Sequence, residues 1–297
     1  MTESVLFSIA TATRNNVDKL KRCVGSVRGQ TGASAEHLVQ DASSVDGTPT
    51  WLAAQHDLKA VSENDAGMYD AINRAWARSS GRYLSWLNSD EQYLPGTLAK
   101  VHAFFGSHPE VDVVFGDYIV ADTQGRPVAL RREIPFRHIY VVNSFLNMAS
   151  CTIFYRRKLL DSGMLQLDSR YRYAADKELI LRLAASGVHI GHISDYLAIF
   201  GIDGTNLSTH PQMHRESEAI GLAAGALKIR ALRQVVVACR RIERMLNGGY
   251  RSASIRYRFA TDELPRYVEV EAADIGGRYD LTNFEGRADA TRSVDQG

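Results

Sequence analysis

The chain has 297 residues, of which 45% are hydrophobic and 23% charged, with a formal net charge of +1. These are the values of a globular protein with a sizeable core, and the length suits one large α/β domain with an extension or two small domains. A balance so close to neutral excludes a general electrostatic affinity for nucleic acid or acidic surfaces, so any such affinity must come from a local patch.

Val5 to Ala12 reads as a first buried strand. Thr13-Arg14-Asn15-Asn16 then supplies turn and cap chemistry into a helix from about Val17 to Arg28, with Leu20, Val24 and Val27 on one face. His37 to Gln40 is a second short strand running into Asp41, followed by a cap-rich loop, Ser43 to Thr48, and a helix around Pro49 to His56. A third strand, Lys59 to Ser62, runs into Glu63-Asn64-Asp65-Ala66-Gly67, and Met68 to Arg78 is helical with Ile72, Ala75 and Trp76 on one side. Tyr83 to Glu91, set between Gly81 and Pro95-Gly96, is an apolar run that ends abruptly in the adjacent carboxylates Asp90 and Glu91. After Pro95 a helix runs to about Ser107, Val111 to Tyr118 is another strand, and Ile119 to Leu130, broken by Asp122-Thr123-Gln124-Gly125, forms a hairpin. Met148 to Arg156 reads as a further strand, Tyr173 to Glu178 opens a helix to about Ser186, and Val188 to Phe200 supplies the last strand.

Strand and helix alternating through short connections indicate a parallel sheet with helices on both faces, giving way to a mixed sheet at the hairpin. Three strand ends bring Asp41, Glu63 or Asp65, and Asp90 to the carboxyl edge, where open α/β sheets bind ligands. Adjacent acids there repel each other and lose water unless a cation compensates, and hard oxygen ligands suit Mg²⁺ or Mn²⁺ shared with substrate phosphates. The alternative is a solvated loop after a strand.

From about Pro211 the character changes. On a helical wheel from Ile229 to Leu246, the residues Ile229, Leu232, Val235, Val236, Cys239, Ile242 and Leu246 share one face, opposite Arg230, Arg233, Arg240, Arg241 and Arg244. This basic amphipathic helix has three readings: docking on the main domain with a solvated basic face, lying on an anionic membrane surface as a peripheral contact, or self-association. The division expected is a main domain over 1–210, a basic helical extension over 211–260 and a polar, partly disordered tail over 261–297, most polar from about Asp280. Three widely spaced cysteines without a CxxC pair argue against a disulfide framework and a zinc site and favour a reducing cytosol. Met1-Thr2-Glu3-Ser4 lacks the basic region of a signal peptide, and no apolar run is long enough to span a bilayer.

The sequence resembles glycosyltransferase family 2 through Ser8 to Asn16, Glu36 to Asp41 with Asp46-Gly47-Thr48, Glu63 to Asn73, Leu87 to Glu91 and Ala175 to Glu178, together covering roughly residues 4 to 208. The resemblance implies an inverting enzyme of the GT-A fold: a single Rossmann-like mixed sheet with helices on both faces, here with a C-terminal helical extension. It further implies that Thr11, Thr13 and Arg14 line the nucleotide pocket, and that Asp41 accepts a hydrogen bond from the base, capping of the next loop being its alternative role. Most relatives carry Tyr where Arg14 stands. Asp65, Asp70, Asn73 and Ser89 fall on the donor site, with packing the alternative for the Met68 to Asn73 segment. Asp90 matches the central metal ligand and Glu91 replaces the usual second Asp, so Mg²⁺ or Mn²⁺ dependence is expected.

Asp176 matches the catalytic base, its alternative being a helix N-cap, and the helix N-terminus is expected to hold it ionised. Glu178 is expected to stand back from the chemistry. Gly201 to Ser208 matches a loop that closes on the donor, with His210 beyond it. The partners implied are a nucleotide-sugar donor, a UDP-sugar, and a glycan or lipid-linked acceptor, in bacterial polysaccharide biosynthesis at the cytoplasmic face of the membrane. Competing readings are a sugar nucleotidyltransferase, disfavoured because Thr13 to Asn16 is not a glycine-rich phosphate loop, and a non-catalytic nucleotide-sugar or glycan-binding module.

Overall fold

The computed structural model describes residues 5–204, 206 and 210–278. The strand-helix alternation of the first half is present as β1 (Phe7–Thr13), α1 (Val17–Arg28), β2 (Ala35–Asp41), α2 (Thr48–Ala53), β3 (Leu58–Ser62), α3 (Met68–Ala77) and β4 (Tyr83–Trp86). β1 pairs in parallel with β2 and β4, and β2 with β3, in a register that sets Thr13 beside Asp41 and Asp41 beside Ser62. The carboxyl ends of these strands therefore lie along one edge.

The second half is mixed. After β5 (Gln92–Tyr93) and α4 (Thr97–Ser107) come β6 (Val113–Ala121), β7 (Pro127–Arg131), α5 (His138–Asn143), β8 (Phe154–Arg156), α6 (Lys158–Asp161), α7 (Ala175–Ala185) and β9 (Ile190–Gly201). Among the described residues the main sheet runs β3-β2-β1-β4-β8-β6-β9-β5, with β7 against β6. Met148 to Arg156 is not one strand: Ser150–Thr152 is a tight 3₁₀ turn, and only Phe154–Arg156 pairs, antiparallel to both β4 and β6. That insertion puts β4, with its terminal acids, in the interior of the sheet.

Helices cover both faces, as the alternation of side chains along the strands requires. Phe7 and Ile9 pack with Cys23 and Val27 of α1 and with Leu98, Val101 and Phe105 of α4. Ala10, one residue on and so on the opposite face, packs with Ile72 and Trp76 of α3 and Leu179 and Leu183 of α7. Trp76 and Trp86 meet at 5.4 Å between ring centroids, and Tyr83 stacks on Phe105 at 4.7 Å.

The C-terminal part corrects two expectations. Helices α8 (Pro211–Ala223) and α9 (Arg230–Leu246) are present and pack on α5, but β10 (Ala253–Ala260) and β11 (Tyr267–Ile275) form an antiparallel hairpin where the end of a helical extension and a polar tail were expected. Ile255, Tyr257 and Phe259 alternate with Arg256 and Arg258, a period-two pattern whose apolar side packs on Ile119, Leu130 and Ile199 of the main sheet. Gln92 clamps the strand end, donating to the Ala260 carbonyl at 3.1 Å and accepting its N–H at 2.8 Å. The hairpin turn lies so close to α1 that a Cβ at Gly25 would collide with the Asp262 carbonyl oxygen.

The second correction concerns α9, which does not dock through its apolar face. Arg240 and Arg244 point inward and are only 5% and 4% exposed. Arg244 donates to the Arg132 carbonyl at 3.0 Å beside Glu133, and Arg240 donates to Ser144 Oγ at 3.2 Å while lying 3.9 Å over the Phe145 ring. Bonded guanidinium groups hold this helix, and the reading with a solvated basic face is overturned. Among the described residues no helix is long and apolar enough to cross a membrane. Residues 1–4 and the tail from Asp280 lie outside the described residues.

Candidate active site

A cavity of about 1330 Å³ opens along the carboxyl edge of the parallel strands and extends to the N-terminus of α7 and to the C-terminal helices. Its walls at the sheet edge include Thr13 and Arg14 after β1, Asp65 and Gly67 before α3, and Ser89, Asp90 and Glu91 after β4. Its far walls include Asp176 and Lys177 of α7, His214 of α8 and Arg233 of α9.

Of the residues singled out in the sequence, Thr13, Arg14, Asp65, Ser89, Asp90, Glu91 and Asp176 line this cavity, whereas Thr11, Asp41, Asp70 and Asn73 do not. Thr11 is buried beneath the strand ends, donating to the Leu87 carbonyl at 2.8 Å and meeting His37 Nε2 at 2.8 Å. Asp41 is fully buried and occupied by its own loop. It accepts the Ser44 N–H at 3.1 Å, the Ser44 hydroxyl, and the Ser62 hydroxyl at 2.5 Å. Ser44 Oγ in turn accepts the Asn15 N–H at 2.7 Å. Asp41 thus takes its alternative role, capping the loop that fixes the turn after β1.

Asp70 caps the start of α3, accepting the Ala66 N–H at 3.0 Å and pairing with Arg74 at 2.8 Å. Asn73 clasps the Leu167 backbone with two hydrogen bonds, of 2.7 and 2.9 Å. Both sit on flanks of α3 turned from the cavity, and the helix presents its N-terminal Met68 and Tyr69 instead.

The acidic pair is asymmetric. Glu91 is buried, its Oε2 accepting the Asn88 N–H at 2.8 Å with the Ser150 hydroxyl 3.5 Å from Oε1. Burial and the adjacent Asp90 charge push Glu91 up to about 8. Burial raises Asp90 too, opposed by Lys19, which pairs with Asp203. The end of β9 presses on this turn, where a Cβ at Gly201 would collide with the Asp90 carbonyl oxygen. Two desolvated acids raised together favour added positive charge, so the pair fits a divalent cation held by Asp90 and completed by substrate phosphates. Among the described residues no cluster of three His, Cys, Asp or Glu side chains could hold a metal by protein ligands alone. Thr13 Oγ1 is buried at the same wall without a hydrogen-bond partner, an unmet polar group beside the acids.

Asp176 occupies the first turn of α7. Its Oδ1 accepts the Lys177 N–H at 2.8 Å, and the Tyr69 hydroxyl is a further hydrogen-bonding neighbour. Burial outweighs these contacts and pushes its pKa up to about 6, opposite in direction to the effect expected from the helix N-terminus. The N–H groups just before α7 are taken by Glu216 of α8, whose Oε2 accepts from Arg172, Tyr173 and Ala174 at 3.1, 2.8 and 3.2 Å. Lys177 is buried, donating to the Ser144 and Ser217 carbonyls at 2.7 Å each and to Ser217 Oγ at 3.0 Å, and burial lowers its pKa to about 8. Glu178 turns away to Arg182 at 2.8 Å. His210 stacks on Tyr173 at 4.5 Å, and the closing loop expected over 201–208 lies partly outside the described residues. Tyr69, Lys177, Glu216 and Arg233 were not singled out from sequence, because their positions depend on packing of α3, α7, α8 and α9. The blocks Met68 to Asn73 and Ala175 to Glu178 contain Tyr69 and Lys177, and Arg233 falls on the basic face of its helix, but the sequence alone gives none of them a role in the site.

The family model for Glycosyl transferase family 2 matches residues 8–163, more than half of the chain. The chain belongs to glycosyltransferase family 2. A PGL/p-HBAD biosynthesis glycosyltransferase of Mycobacterium bovis is 33% identical over 187 residues, covering 60% of this chain and 69% of that one. An uncharacterized glycosyltransferase of Mycobacterium tuberculosis is 31% identical over 194 residues, covering 62% and 71%. Among solved structures, S. aureus TarS 1-349 in complex with UDP-GlcNAc superposes with a TM-score of 0.60 at 18% identity over 82% of this chain and 73% of that one. The mannosyltransferase PcManGT of Pyrobaculum calidifontis, in complex with GDP-Man and Mn²⁺, gives 0.53 at 16% identity over 82% and 81%. The two solved structures share the fold of this glycosyltransferase. Membership removes the nucleotidyltransferase and binding-module readings. Asp176 lies beyond the matched span, so its place in the same cavity as the acidic turn comes from the tertiary structure.

Proposed function

We propose that this glycosyltransferase moves a sugar from a nucleoside diphosphate donor, a UDP-sugar, to a hydroxyl of a glycan or lipid-linked acceptor with inversion, in bacterial polysaccharide or glycolipid assembly at the cytoplasmic face of the membrane. The observation that carries it is one cavity walled at the sheet edge by Asp90 and at the start of α7 by Asp176. The UDP-GlcNAc bound by TarS and the names of the mycobacterial relatives support the donor and pathway class.

Inverting transfer needs a base to take the acceptor proton as that oxygen attacks the anomeric carbon opposite the leaving group. Asp176 is suited to this role: Oδ1 is engaged by the Lys177 N–H, and the carboxylate lines the cavity where an acceptor hydroxyl would meet it. A carboxyl raised to about 6 is ionised at neutral pH, yet more basic than an ordinary aspartate. Tyr69 orients it, and the buried Lys177 anchors the helix start. Thr13 Oγ1 and Arg14 meet the nucleotide, with Asp65 and Ser89 on the walls beside it. Asp90 would hold Mg²⁺ or Mn²⁺, with Glu91 supporting the turn from behind. A bound cation would neutralise charge growing on the departing diphosphate.

Calorimetric titration of UDP and GDP with and without Mn²⁺, followed by acceptor-dependent UDP release, tests this reading. Metal-dependent UDP binding is expected in the wild type and lost in Asp90→Asn. Asp176→Asn is expected to bind UDP normally and turn over about 10²–10⁴-fold more slowly. Wild-type turnover by Asp176→Asn would remove the proposed base.

A further inference from the structure

Helix α9 rests on the protein by its cationic side and turns its apolar side outward. At about 100° per residue, Leu232, Val235, Ile242, Met245 and Leu246 form one row along the helix, and they are 47%, 58%, 52%, 56% and 75% exposed. Ile229, at the helix entry, is 61% exposed, and exposed Ile139 and Leu222 lie on the α5 and α8 helices of the same bundle. Half a turn of rotation would have buried this row against α5. Instead the inward side is fixed by the hydrogen bonds of Arg240 and Arg244, which give the helix one orientation. A continuous apolar row held outward by bonded anchors marks an interaction surface.

Charge selects the partner. Lys228, Arg230 and Arg241 are exposed and border the row, while Glu243, the one carboxylate of α9, is held by Arg137 at 3.0 Å and Tyr140 at 2.7 Å. A second copy of this chain pairing along α9 would bring like cations together. A bilayer with anionic headgroups would take the apolar row and the cations at once. Arg233, on the inward side of the same helix, lines the catalytic cavity, so the seated surface adjoins the site. We propose that the outward face of α9 seats this enzyme on an anionic membrane surface. Seating requires no turnover and is separable from the proposed transfer reaction.

The test is co-sedimentation of the full chain with vesicles of phosphatidylglycerol and phosphatidylcholine, and of phosphatidylcholine alone, at low and high salt. Binding to the anionic vesicles is expected, falling at least about tenfold in high salt, in Arg230→Glu/Arg241→Glu and in Val235→Glu/Ile242→Glu. All these side chains except Val235 and Ile242 are charged surface groups, and those two are solvent-facing, so melting temperature and UDP binding are expected to stay unchanged. Three results would each overturn the proposal: no vesicle binding, equal binding to neutral vesicles, or a dimer that Val235→Glu/Ile242→Glu disperses while vesicles stay unbound.

Discussion

Asp176 carries opposing demands within one side chain. Its pKa is raised from the ordinary aspartate value to about 6 by burial. The fold therefore favours the protonated form, and stability declines as pH rises from the unfolded value through about 6, while the proposed chemistry needs the ionised form above it. Two outcomes follow at this scale. The kcat/KM profile is expected to fall about tenfold per pH unit below pH 6, where the base protonates. Asp176→Asn, which removes a poorly solvated charge, is expected to raise the melting temperature at pH 7 by about 2–4 °C while slowing turnover about 10²–10⁴-fold. A flat acid limb in the wild type would show that another group limits the reaction. Asp41 teaches the converse: an acid at a strand end is not for that reason a ligand contact, because Ser44 and Ser62 occupy it.

At the scale of elements, the start of α7 is built by α8. Three successive N–H groups that precede α7 would otherwise lack partners, and Glu216 accepts all three. Glu216→Ala is expected to cost about 1–2 kcal/mol, read as a fall of about 2–6 °C in melting temperature. Glu216→Gln, which retains one acceptor oxygen, is expected to lose less. The helix pair α8–α9 is thus a wall of the site as well as an extension. Binary patterning placed α9 correctly along the chain but not in orientation. It assumes that an apolar face turns inward, and α9 inverts that rule because Glu133, Ser144 and the Arg132 carbonyl offer its guanidinium groups specific partners.

For the whole molecule, the hairpin β10–β11 closes the open side of the mixed half of the sheet. Phe259 and Tyr257 cover Ile119, Leu130 and Ile199, and the Tyr257 hydroxyl donates to the Gly125 carbonyl. Phe259→Ala is expected to destabilise the entire domain by about 3 kcal/mol, measured by urea unfolding. A single cooperative transition is expected, since the hairpin shares its apolar cluster with the main sheet. A separate early transition would show that the hairpin unfolds independently.

The sequence by itself determined the parallel half of the sheet, its helices on both faces, and the acidic turn at the carboxyl edge. These follow from local periodicity and from glycine, proline and acid punctuation, which act within a few residues. The sequence's strand ends brought Asp41, Glu63 or Asp65, and Asp90 to one edge, and its resemblance to the family, not geometry, named Thr13, Arg14, Ser89 and Asp176 as site residues. Only the tertiary structure placed Thr11, Asp41, Asp70 and Asn73 off the cavity wall with partners of their own, brought β8 beside β4 so that β4 lies in the sheet interior, and turned the apolar face of α9 outward. Which flank of a helix meets a cavity, and whether a carboxylate is already bonded, depend on partners distant in sequence, as Asn73 and Leu167 or Glu216 and Tyr173 are.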